Sequence, residues 1–274
     1  MRRADEPPVP EDVDLRLLPR AVRAELRGLP KELEEIVGAH LVAAGSLIDE
    51  DPEAAYGHAE AARRRAARLP IVREAAAETA YAAGHYDVAL SEYRALRRMT
   101  GTFDHLPVMA DCERALGRPQ AALKLARESV DLDLDPALRT EMTIVAAGAR
   151  GDLGQHAEAV RVLQQAIASP PVPPTEAPRS RAAAVEARAA ERQASARLRY
   201  AYADALLTAG EEVQARRWFV EAAALDPDQL TDAASRVDEL DGLRLDIDES
   251  DLDEPAAAGT ESGARPGPAD RAWD

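Results

Sequence analysis

Cysteine is nearly absent from this sequence: Cys112 is the only one in 274 residues. A single thiol cannot close an internal disulfide, so nothing points to an oxidising compartment. Aromatic residues make up only 4%. With β-branched residues also scarce, the chain is poorly suited to strands. No apolar run approaches the roughly 18 residues that a membrane-crossing helix needs. Arg2 and Arg3 could open a secretory leader, but Asp5, Glu6 and three prolines follow where an apolar stretch belongs. The expected location is therefore cytoplasmic, with no membrane partner.

Chemical motifs are missing too. There is no Gly-x-x-x-x-Gly-Lys-Ser/Thr, no Gly-x-Gly-x-x-Gly and no Gly-x-Ser-x-Gly. The five histidines, His40, His58, His85, His105 and His156, include no pair spaced i, i+4, so the helical zinc pair is absent. His156-Ala157-Glu158 matches the His-x-Glu of zinc deaminases, but that chemistry also needs a Pro-Cys-x-x-Cys. Cys112 lies between Asp111 and Glu113, whose carboxylates oppose thiolate formation. No catalytic residue, metal or cofactor is expected. The net charge is −16, and residues 238–274 carry −9 of it. Acidic chains repel phosphate backbones, which disfavours nucleic acid as a partner.

What the sequence has is alanine and periodicity. Hydrophobic residues reach 46%, enough for a sizeable core, and small side chains let helix axes approach closely. The expected class is all-α. Residues 1–12, with Pro7, Pro8 and Pro10 among charges, are expected to lack order. Pro19 and Pro30 should break the helical pattern that follows. Asp51 and Pro52 fit a helix cap and first turn. Helical sequence then continues to about residue 240. A proline-rich insert interrupts it at about 169–180, followed by helical "RAAAVEARAAERQ". Residues 241–274, rich in acids, Gly and Pro, are expected to be disordered. One stretch there, "LRLDIDESDL", alternates apolar and acidic residues and could dock as a short piece.

One pattern recurs across the helical region. An Ala-rich run ends at a glycine, and a second run follows with an alanine five residues later. The glycines are Gly84, Gly117, Gly154 and Gly210, spaced by 33, 37 and 56 residues. The alanines are Ala89, Ala122, Ala159 and Ala215. Tyr93, Ala126, Leu163 and Phe219 come four residues further on, and Pro227 closes the last copy. A degenerate fifth unit lies upstream, around residues 38–66.

This pattern resembles the tetratricopeptide repeat, a helix–turn–helix unit of about 34 residues. Tyr86, Ala89 and Tyr93 match the family positions in the first copy, as do Ala215, Phe219, Ala222 and Pro227 in the last. Pro119 stands where an aromatic is usual. The likeness extends to small actinobacterial members of the family that have no assigned activity. The resemblance implies a right-handed α-solenoid of antiparallel helix pairs, with four to five repeats over residues 13–240. It also implies a non-enzymatic protein-interaction adaptor, with the first helix of each repeat lining a concave groove. Counted back from the glycines, the groove positions are Glu74, Glu78, Tyr81, Asp111, Arg114, Glu141, Arg197, Tyr200 and Asp204. That lining reads as mostly acidic, so a basic or apolar peptide is the expected partner. The alternative is a non-catalytic regulatory subunit acting through the acidic tail.

Overall fold

The computed structural model describes residues 6–9, 13–169 and 180–242. Among them every regular element is a helix. A 3-10 turn, Leu15–Leu17, precedes α1 (Arg20–Leu26), α2 (Lys31–Leu47) and α3 (Pro52–Ala66). Then come α4 (Pro70–Ala82), α5 (Tyr86–Thr100), α6 (Leu106–Ala115) and α7 (Pro119–Glu128). The last five are α8 (Pro136–Asp152), α9 (His156–Ala168), α10 (Arg181–Thr208), α11 (Glu212–Leu225) and α12 (Ala233–Leu240). None is long and apolar enough to cross a membrane.

Proline and short polar side chains set where these helices begin. Pro52, Pro70, Pro107, Pro119 and Pro136 each fall in a first turn, where the missing N–H would have no partner anyway. Pro19 and Pro30 sit just before α1 and α2. The Asp51 side chain accepts from the Ala54 amide at 3.0 Å, and Asp135 caps α8 in the same way from Ala137 at 2.8 Å.

Glycine sets where four of them turn. Gly84, Gly117, Gly154 and Gly210 have φ between 70° and 83°, the left-handed region that a Cβ disfavours. At each turn the residue after the glycine donates its N–H to a carbonyl five residues back. The four bonds are His85 to Ala80, Arg118 to Glu113, Gln155 to Arg150, and Glu211 to Leu206, at 2.8 to 2.9 Å. One turn geometry is thus used four times, joining α4/α5, α6/α7, α8/α9 and α10/α11. The 56-residue spacing before Gly210 is partly explained by α10 itself. It runs 28 residues, and most of its first three turns, including Val185, are exposed. The proline-rich insert lies outside the described residues at 170–179, as does the acidic tail from 243.

Each helix packs most on its neighbours in sequence, and α12 closes the stack on α11. Beyond the hairpins, α4 also meets α2, α8 meets α6, and α10 meets α8. The alternate helices α3, α5, α7, α9 and α11 do not meet one another to a comparable extent. Side chains of α4, α6, α8 and α10 also meet across the hairpins, Tyr81 reaching Asp111, Arg114 reaching Asp152 and Arg197 reaching Glu141. The alanines five residues past each glycine are buried at 0 to 4% exposure. Tyr93, Leu163 and Phe219 are buried beside them.

The first residues depart from expectation. Within the stretch 1–12 expected to lack order, Glu6 is buried and pairs with Arg65 of α3 at 2.5 Å. Pro7 lies over Gly57. The charged residue finds a cation on α3, and the proline finds a helix surface without a side chain. Nearby, His40 of α2 and His58 of α3 bring their Nδ1 atoms to 3.0 Å, one donating and the other accepting. His40 is fully buried. Two protonated rings cannot share that distance.

Two outcomes follow. Ala89→Arg and Ala215→Arg each force a long cation between two helices at a site with 0% exposure. Each should cost at least about 3 kcal/mol, and melts unchanged by either would contradict the packing. The second concerns pH. Burial holds the His58 pKa below its ordinary 6.5, so the unfolded chain takes up that proton first. The stabilisation is complete above about pH 6.5 and is lost as pH falls below it. Urea midpoints should drop between pH 7.5 and 5.5, and the drop should shrink in His58→Asn. An equal drop in both proteins would show that the pair does not titrate this way.

Candidate functional site

The residues counted back from the turn glycines all lie on the first helices of the hairpins. Glu74, Glu78 and Tyr81 are on α4, Asp111 and Arg114 on α6, Glu141 on α8, and Arg197, Tyr200 and Asp204 on α10. Equivalent turns place equivalent positions on the same side of successive helices.

A gap opens between α8 and α10. It is a cavity of about 500 Å³, lined in part by Arg114, Glu141, Arg197, Tyr200 and Asp204. Its apolar wall comes from Ile144, Ala147, Leu163 and Ala201. Of the predicted residues outside it, Tyr81 and Asp111 join it through hydrogen bonds. Tyr81 donates its hydroxyl to Asp111 at 2.6 Å, and Arg114 reaches Asp111 at 2.9 Å and Asp152 at 2.8 Å. Polar contacts thus run from α4 through α6 to α8. Arg197 then bonds Glu141 at 2.9 Å, tying α10 to α8. Arg236 of α12 lies 3.5 Å from Asp204 and 3.4 Å from the Tyr200 hydroxyl. Glu74 pairs with His105 at 3.4 Å.

The lining therefore differs in charge from the acidic face read in the sequence. Asp111, Asp152, Glu141 and Asp204 each sit against an arginine. Glu78, an exposed position between buried Ala77 and Thr79 on α4, is the one of the five predicted acids that has no ion-pair partner among the described residues. Counting along one helix at a time cannot see a cation supplied by the next. Arg236 was missed for that reason. In the sequence, residues 229–240 are only the end of the helical region, and nothing in their spacing aims a side chain back toward α10.

Burial and these partners shift several groups. Although Glu78 is solvent-open by surface area, the surrounding protein desolvates its carboxyl, and this, then the nearby Glu74 carboxylate, raises its pKa. Burial raises Glu141 as well and outweighs the opposing pull of Arg197. The Tyr200 phenol is pushed up to about 12, by burial first and then by its bond to Asp232. Burial works against the charge on Arg114, but Asp152 and Asp111 outweigh it and hold the guanidinium protonated. That guanidinium lies over Gly148, where an added Cβ would stand 2.4 Å from its central carbon. The bare backbone at 148 is what lets Arg114 reach across α8.

Cys112 is fully buried and its thiol is pushed up to about 12, chiefly by burial and next by Asp111. Among the described residues no three His, Cys, Asp or Glu side chains gather as metal ligands. No family model matches the chain, and no curated protein matches it in sequence.

The Arg114 bridge between α6 and α8 should be measurable. A double-mutant cycle of Arg114→Ala with Asp152→Ala should give a coupling of roughly 1 kcal/mol, part of it from the half-buried setting. A coupling near zero would mean that the bridge does not hold the two hairpins together.

Proposed function

We propose that the chain is a tetratricopeptide-type repeat protein that acts as an adaptor, holding a peptide segment of a partner protein in its concave groove. Its units would be α2/α3, α4/α5, α6/α7, α8/α9 and α10/α11, coiled as a right-handed superhelix with α12 as the cap. The four identical glycine turns and the buried alanine after each support this reading.

The observation that carries the adaptor role is the α8–α10 cavity. Its wall of Ile144, Leu163 and Ala201 accepts an apolar side chain. Around that wall stand groups that can bond a peptide backbone: the Tyr200 hydroxyl, the Arg197 guanidinium and the Asp204 carboxylate. Interfaces draw affinity from such apolar anchors and orientation from the polar rim. Because most groove acids are already paired, a strongly basic segment gains less here than an acidic lining would give. The ligand that fits best carries an apolar anchor, with its basic residues directed toward Glu78 on α4.

Two variants test this. Ile144→Arg puts charge in the cavity wall, whereas Val213→Asp alters an 86% exposed position on α11 away from it. A partner captured by affinity purification should lose at least about tenfold in affinity with Ile144→Arg and be unaffected by Val213→Asp. The melting temperature of each variant should stay near that of the parent. Retention by the first variant, or loss with the second, would place the binding surface elsewhere.

A further inference from the structure

The first helix carries a cluster of cations outside the α8–α10 cavity. Arg20 and Arg23 on α1, and Arg27 at its C-terminal end, are spaced by three and four residues, which sets them on one side of the helix. Val22 and Leu26 are buried in one cluster with Val37 and Leu41 of α2. The three arginines line a cavity of about 310 Å³ together with Leu15 of the 3-10 turn, Leu26, and Glu34 of α2. Its walls are fixed. Leu15 rests on Gly38 of α2, where an added Cβ would stand 2.7 Å from the leucine side chain. The Ile71 amide of α4 donates to the Glu25 carboxylate at 3.3 Å and ties α1 down.

The charge in this pocket is largely unmatched. Glu25 is the one acid on α1, and it is directed to α4. Arg23 donates its Nε to the Leu18 carbonyl at 3.1 Å. The Arg20 and Arg27 side chains, both exposed, have no hydrogen-bond or ion-pair partner among the described residues. Three arginines against one glutamate leave the lining at +2, in a chain of net charge −16. Many other arginines are committed. Arg63 and Arg64 share Glu60, Arg73 joins Arg63 on Glu92, and Arg94 holds Glu113. A pocket of about 410 Å³ between α7, α8 and α9 is lined by Arg127, Arg139 and Arg150. There Arg139 and Arg150 donate to backbone carbonyls, and Arg150 also pairs with Glu158 at 3.8 Å.

We propose that the α1 pocket is a second docking surface, which takes an acidic segment of a partner protein with its carboxylates on Arg20, Arg23 and Arg27 and an apolar side chain over Leu15. Guanidinium forks match carboxylates in shape and charge. Leu17, in the same 3-10 turn as Leu15, is 71% exposed and extends the apolar surface. Glu34 selects among anions. It repels a compact dianion such as phosphate, whereas a peptide turns a backbone N–H toward it. Leu17 is also the one large apolar side chain exposed on residues 13–31, too little for insertion into a bilayer. The main contacts of α1 are with the 3-10 turn and α2, not with α8 or α10. The two sites are therefore separate, and one chain can hold two partners.

The full chain titrated with a model peptide tests this. The probe is acetyl-Glu-Leu-Glu-Glu-Leu-Asp-amide, and the readout is the amide shifts of the isotope-labelled protein. Shifts should centre on residues 15–27 and 34 and saturate with a Kd at or below about 1 mM at low salt. Salt near 1 M, where screening acts over about 3 Å, should weaken the binding. Arg20→Glu with Arg27→Glu, both at exposed positions, should lower the affinity at least about tenfold and leave the melting temperature near that of the parent. Arg20→Gln with Arg27→Gln, gentler to the fold, should lower it by a smaller factor. Ile144→Arg in the α8–α10 cavity should leave it unchanged. No saturable shifts, shifts centred on α7–α9 or on the α8–α10 cavity, or undiminished binding by both double variants would overturn the proposal. So would equal shifts at α1 from inorganic phosphate, or binding to phosphatidylserine vesicles that the double variants lose, because the pocket would then be a free-anion or a lipid site.

Discussion

The alanine five residues beyond each turn glycine governs the spacing of the whole stack. Ala89, Ala122, Ala159 and Ala215 are buried where the second helix of a hairpin lies against its neighbours. A methyl group there lets two helices approach, and any larger side chain would pry them apart. The left-handed glycine fixes when the second helix starts, so the alanine arrives at the contact in phase each time. Spacing and phase together make successive hairpins equivalent. Equivalence is what brings side chains from α4, α6, α8 and α10 into one run of polar contacts.

That surface is held by charge as well as by packing. Arg114 spans α6 and α8, Arg197 spans α8 and α10, and Arg236 comes back from α12. Each pair is partly solvated, and a single exposed pair contributes little. Their placement matters more than their strength. Every one crosses a boundary between hairpins, where a stack with few contacts between distant elements is most able to flex. The same pairs cancel the charge of the groove, leaving its apolar wall and its hydroxyls as the features a ligand meets.

Much of this was legible in the sequence, because turns and helix starts are local. A glycine at positive φ, a proline in a first turn and an aspartate cap each depend on a few adjacent residues, so the roles of Gly84, Pro52 and Asp51 follow from their immediate neighbours. Placing Glu78, Asp111 and Asp204 on the inner helices needed only the turn register. What could not be read was pairing between residues far apart in the chain. Asp204 and Arg236 are 32 residues apart, and Glu141 and Arg197 are 56 apart. The seating of Glu6 on Arg65 was hidden for the same reason. A proline-rich, charged stretch reads as disordered until the surface that receives it is known.

The two faces also divide the electrostatic work of a strongly acidic chain. On the inner face most acids are matched by arginines, so a ligand there is selected by shape and hydrogen bonding. On the outer face, between α7 and α9, three arginines stand without a matching acid in the lining. In a protein of net charge −16, a pocket lined by three arginines and no carboxylate attracts acidic ligands that most of the surface repels.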